Sequence, residues 1–134
     1  MRLDGALPKL AGSTASEEAT MAKKRNPLNL NPLQLKTLTL LQELARHPEH
    51  ATPRGEEGNV MVSQLPVPHG DHFHVGAYLV QARDASGLAN PAVFAALERK
   101  GLIRSLYPMG AVLTPDALAY ETGMGEVILH AGHH

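Results

Sequence analysis

Three histidines, His69, His72 and His74, fall within six residues of one another. Imidazole is a common ligand for zinc, copper and nickel, so three converging rings could hold a transition ion. On a strand His72 and His74 point to one face, and His69 occupies the adjacent turn. Asp71 sits on the opposite strand face and joins such a set only where the chain bends. The same spacing also suits a polar strand facing solvent, and no metal or other cofactor is assigned from it. His130, His133 and His134 form a His-rich tail of the kind that takes up metal incidentally. His47 and His50 flank a helix end, where a cation complements the dipole.

Other chemistry is thinly represented. The chain has no Cys, which excludes disulfides, thiol catalysis and Cys-based zinc sites. Ser, His and Asp all occur, but no spacing implies a nucleophilic triad. Glu56-Glu57 is a charge pair in a loop. Gly123-Met124-Gly125 is not a phosphate loop, because no Lys-Ser/Thr follows it. Met109 and Met124 suit packing or an interface better than ligation. The expectation is a binding protein, not an enzyme.

The elements that position these residues follow from capping and periodicity. Asn31 can cap a helix, Pro32 suits the first helical position, and Gln34 completes a capping box. Leu30 and Leu35 have hydrophobic-staple spacing. Leu35, Leu38, Leu41 and Ala45 form one stripe, which Leu33, Leu40 and Leu44 widen, so this helix is deeply buried. Pro48 ends it near Arg46 or His47. Residues 48–59 are a polar loop. Val60 to Leu65 is a strand, Pro66 to Gly70 a turn, and Asp71 to Val75 the returning strand, with Phe73 and Val75 on one face. A second helix is predicted from about Val75 or Gly76 to Ala85, with Tyr78, Leu79 and Ala82 inward and a turn at Ser86-Gly87-Leu88. A third starts at the Asn90 cap with Pro91 in its first turn. Val93, Phe94 and Leu97 form its apolar face, and Gly101 stops it. Leu102 to Tyr107 and Ala111 to Leu113 form a hairpin around Pro108-Met109-Gly110. Thr114 caps a last helix through Tyr120, which Gly123 and Gly125 break. Val127-Ile128-Leu129 is a small strand.

The 134 residues suffice for one domain with a real core, built on Leu, Val and Ala because aromatics are only 4%. No apolar run approaches the ~20 residues needed to span a bilayer. No secretory h-region is visible, so a cytoplasmic protein without membrane contact is expected. Residues 1–26 hold five Lys/Arg against three Asp/Glu, a net of +2. The remainder holds seven against ten, a net of −3. Residues 1–25 read as disordered, and Met21 resembles a natural start ahead of the basic run Lys23-Lys24-Arg25.

Three segments carry a family resemblance. Leu97-Glu98-Arg99-Lys100-Gly101-Leu102-Ile103 is similar to the exit from the recognition helix in winged helix-turn-helix regulators of the multiple-antibiotic-resistance type. Leu113-Thr114-Pro115 is similar to their step after the wing, and Asn31-Pro32-Leu33-Gln34-Leu35 to their opening helix. The resemblance covers residues about 31–121. It implies an α+β winged helix-turn-helix domain, here with an inserted β-hairpin before the second helix. Residues 27–123 form that domain, 1–26 a disordered tail, and 124–134 a short C-terminal strand and His-rich tail.

In such proteins the third helix enters the major groove. That places Asn90, Ala92, Ala95 and Ala96 toward base edges. Arg99, Lys100 and Arg104, with Lys23, Lys24 and Arg25 of the tail, would meet phosphates. Alanine can contact a thymine methyl but cannot hydrogen-bond a base. The resemblance therefore implies a transcription regulator that binds double-stranded DNA, as a homodimer. Two alternatives remain open. One is a protein-interaction module using the Ala-rich third helix, which the acidic domain favours. The other is a metal-responsive binder using His69, His72 and His74.

Overall fold

The computed structural model describes residues 26–55, 57–67 and 70–131. Its first helix, α1, spans Pro32–Leu44. Asn31 Oδ1 accepts the Gln34 amide at 2.8 Å, and Gln34 Oε1 accepts the Asn31 amide at 3.0 Å. This reciprocal capping box satisfies two N-terminal donors. Leu38, Leu40, Leu41 and Leu44 have no exposed surface. Each such burial stabilises the fold by roughly 1.5–3 kcal/mol relative to exposure. The widened leucine stripe is therefore the central rod of the core.

The strands form two antiparallel sheets. The first contains β1 (Ala51–Arg54), β2 (Asn59–Ser63), β5 (Ile103–Ser105) and β6 (Gly110–Leu113), in the order β1-β2-β6-β5. Val62 pairs with Ala111 and Ile103 with Leu113, and all four are buried. The period-2 alternation sends their neighbours Met61, Val112 and Arg104 to the other face. The second sheet contains β3 (His72–Val75), β4 (Tyr78–Gln81) and β7 (His130–Ala131), in the order β3-β4-β7. Phe73, Val75 and Val80 are its buried residues.

After β4 the chain forms a 3₁₀ helix, Ala82–Ala89, then α2 at Pro91–Arg99. Asn90 caps α2, and Gly101 follows its C-cap, Lys100, with a φ of +79°. The hairpin β5–β6 comes next, then α3 (Pro115–Ala119), capped by Thr114, and α4 (Gly125–Ile128). The architecture is α+β, as expected. The first and third predicted helices, the 103–113 hairpin and the helix after Thr114 all appear where their caps and turns place them.

Three expectations are corrected. The strand from Val60 does not pair with 72–75. It pairs with β1 and β6, while β3 pairs with β4 in the other sheet. The polar loop thus hides an edge strand, where Pro53 is tolerated because an edge residue needs no ladder donor. The predicted second helix is absent. Gly76, with a φ of +58°, opens a two-residue turn that pairs Val75 with Tyr78, so the Tyr78-Leu79-Val80 run becomes a strand. Helical turns begin only at Ala82. Finally, Val127 and Ile128 are helical, because both their amides donate to the Met124 carbonyl at 3.0 Å. The terminal strand is displaced to His130–Ala131 and pairs with β4.

The segment ahead of α1 is clamped. Tyr120 Oη donates to Asn26 Oδ1 at 2.6 Å and accepts the Leu28 amide at 3.0 Å. The Asn26 amide also spans to Leu30, donating to its carbonyl and accepting its N–H. Asn26, assigned to the tail from sequence, is thus tied to the fold. Lys23, Lys24 and Arg25 lie outside the described residues.

Candidate nucleic-acid interface

Helix α2 is short and presents two faces. Val93, Phe94, Ala96 and Leu97 are buried, whereas Pro91, Ala92, Ala95, Glu98 and Arg99 are exposed. Ala96 is therefore a correction to the set of groove-facing residues. It lies three residues beyond Val93 and beside Leu97, on the inward stripe, and keeps only 6% of its surface exposed. Ala92 and Ala95 do face outward. Asn90 sits at the head of the helix, and its Oδ1 accepts the Ala92 amide at 2.9 Å. That bond engages the oxygen a bidentate adenine contact would need, leaving Nδ2 as its remaining donor.

The cations divide into two kinds. Arg99 and Arg104 are exposed, and neither joins an ion pair among the described residues. Lys100 differs: its Nζ donates to the Leu28 carbonyl at 2.9 Å. It tethers the N-terminal segment to the end of α2. Lys36 is likewise engaged, with Asp84 at 2.9 Å. Arg104 stands on the outward face of β5, opposite Val112.

Sequence reasoning missed the residue that joins helix and hairpin. Tyr107 packs its ring on Phe94, with centroids 5.2 Å apart and planes at 64°. Its hydroxyl donates to the Ala89 carbonyl at 3.0 Å, one residue before the α2 cap. An aromatic beside the turn Pro108-Met109-Gly110 was the available signal. The Tyr107–Pro108 peptide is cis, and Met109 at the turn is 72% exposed. Helix α2 and the β5–β6 hairpin are thereby fastened together through the inward face of the helix.

The histidine cluster is only partly described. His69, His133 and His134 lie outside the described residues. The His72 and His74 rings meet edge to face, 5.4 Å apart, and His72 Nδ1 lies 3.3 Å from Asp71 Oδ1. Among the described residues no group of three or more His, Asp or Glu side chains is arranged to hold a metal ion. His130 is exposed on β7. No helix among the described residues is long and apolar enough to cross a membrane.

The chain matches no protein-family model, no curated protein and no solved structure.

Proposed function

We propose that residues 27–123 form a winged-helix module that binds duplex DNA, with transcription regulation as its role. The observation that carries this reading is the Tyr107 link, which fastens the β5–β6 hairpin to α2 and to the residue before its cap. A helix offered to the major groove beside a hairpin offered to the backbone is the docking geometry of this class. The strand order β2-β6-β5, with β2 supplied between α1 and α2, also supports it. Arg99 and Arg104 supply phosphate contacts from the domain, and Lys23, Lys24 and Arg25 supply more from the tail. Ala92 and Ala95 offer methyl contacts and no hydrogen bonds, so affinity is mostly phosphate-driven and sequence preference is shallow.

Fluorescence anisotropy with random-sequence duplex DNA at about 50 and 200 mM salt tests this, because phosphate-driven affinity falls steeply across that range. With about five phosphates neutralised, affinity is expected to fall by two to three orders of magnitude. Replacing Lys23, Lys24 and Arg25 together by Ala should weaken binding and flatten the salt slope without abolishing either. Complete loss in that variant would make the tail the only contact. Absence of binding at both salts would sink the reading.

A second reading is favoured by one observation. Met109, Ala92 and Ala95 are exposed and uncharged, which suits a protein partner. It becomes the leading reading if DNA is not bound.

A further inference from the structure

A cleft of about 390 Å³ opens between α1, the start of β4 and α4. Its volume falls within the roughly 300–1,000 Å³ typical of small-molecule sites. Gln42, Glu43, Arg46, Tyr78 and Glu126 are its principal polar lining, and Leu129 adds an apolar wall. The back is fixed. Gln42 Nε2 donates to the carbonyls of Ala117 and Tyr120, both at 2.7 Å, which leaves Gln42 Oε1 as an acceptor.

Glu43 is the unusual group. Its side chain is nine-tenths buried, with 10% of its surface exposed. Oε2 meets His47 Nε2 at 3.3 Å. Oε1 has only Arg46 Nη1 at 3.8 Å, beyond hydrogen-bond reach, and the Arg46 side chain is 76% exposed. Oε1 therefore has room for a further donor, and polar groups this deeply buried are normally hydrogen-bonded in folded proteins. Two other groups in the cleft are open. The Tyr78 hydroxyl and the Glu126 carboxylate make no hydrogen bond or ion pair among the described residues. The cleft thus offers two carboxylates, an amide oxygen and a phenol, with the Arg46 guanidinium and the His47 ring beside Glu43.

We propose that this cleft binds a small organic cation with several N–H donors, of the short aliphatic diamine class. One ammonium would donate to Glu43 Oε1, with Gln42 Oε1 and Tyr78 Oη as further acceptors. The other would meet Glu126, and the methylene chain would lie along Leu129. Charge-assisted N–H to carboxylate bonds are the strong ones, and an ammonium brings three donors. A bare metal ion fits less well, because no group of three or more His, Asp or Glu side chains is arranged to hold one among the described residues. This site does not depend on DNA binding.

Isothermal titration of the full chain with putrescine, against sodium chloride of matched ionic strength, is the test. A saturable one-to-one heat is expected with the diamine and none with the salt. Glu126→Gln and Tyr78→Phe should each weaken binding about tenfold, the value of one lost charged or polar contact. Glu43→Gln should abolish it, with circular dichroism confirming the fold. Should Glu43→Gln fail to fold, the other two variants decide. No saturable heat, or equal heats in Glu126→Gln and Tyr78→Phe, would overturn the proposal. Equal binding of glutarate, a dianion of similar length, would overturn it as well.

Discussion

Tyr107 donates its phenolic hydrogen bond to the Ala89 carbonyl at 3.0 Å, so the hairpin following α2 is fastened to the residue preceding the α2 cap. The helix is bracketed at its head by a contact made eighteen positions downstream. Tyr107→Phe removes that bond and keeps the ring on Phe94. It should lower stability by about 1 kcal/mol in urea titration. Tyr107→Ala also removes the ring and should cost about 2 kcal/mol or more. An unchanged midpoint in both variants would show that hairpin and helix are not coupled. If the domain binds DNA, Tyr107→Phe should also weaken binding while leaving the salt slope intact.

Lys36 and Asp84 form an ion pair at 2.9 Å, with side-chain exposures of 27% and 11%. Removing only the cation leaves a mostly buried carboxylate without compensation. Lys36→Met should therefore cost about 2–3 kcal/mol, near the lower range for buried pairs because Lys36 retains solvent contact. Combining Lys36→Met with Asp84→Leu should recover most of that loss, since the pair is then replaced by apolar contact. Denaturant midpoints of the single and double variants give the comparison. A double variant as unstable as Lys36→Met would contradict it.

Gly110 begins β6 with a φ of +155°, and a Cβ there would collide with the Val62 carbonyl oxygen. That neighbour is backbone within the β2–β6 pairing, so it cannot rotate away. Gly110→Ala must separate the strands or distort the turn. A loss of more than about 3 kcal/mol is expected, at the exceptional end of single substitutions. Amide exchange should report it as lost protection along β2 and β6. Native-like protection there would disprove the close approach.

Lys100→Ala cuts the tether to the Leu28 carbonyl. Its own surface is exposed, so the global midpoint should move by less than about 1 kcal/mol. The local effect should be larger. Leu28 and Leu30 amides should exchange faster, because one of the bonds holding that segment is gone. Unchanged exchange would mean that Tyr120 alone fixes the segment through Asn26 and Leu28.

The parts of the fold that were legible in sequence are those specified by short-range chemistry. Asn31, Pro32 and Gln34 specify the start of α1 within four residues, and Asn90, Pro91 and Gly101 bracket α2 the same way. The parts that were not legible depend on partners far along the chain. β1 has no alternating apolar pattern, and only its pairing to β2 makes Ala51–Arg54 a strand. In the stretch from Val75 to Ala85, Tyr78, Leu79 and Ala82 fit a helical face, while Gly76 permits a tight hairpin; the sheet decides between them. For the candidate interface, the burial of Ala96 was readable from its spacing to Val93. The Lys100 contact was not, because its acceptor is a main-chain carbonyl seventy-two positions upstream. The cleft beside Glu43 left no trace in sequence, since α1, β4 and α4 meet there only on folding.

The pairing of β2 with β6 has a kinetic consequence. Val62 and Ala111 are roughly fifty positions apart, and the chain must close that loop before the first sheet exists. The β1–β2 and β3–β4 hairpins need no such closure and can form from local contacts alone. Substitutions on the β2–β6 seam should therefore slow refolding, whereas those at the α1 cap or in the outer hairpin should mainly speed unfolding. Until the seam closes, β2 presents an unpaired edge. The nascent chain is then most exposed to self-association.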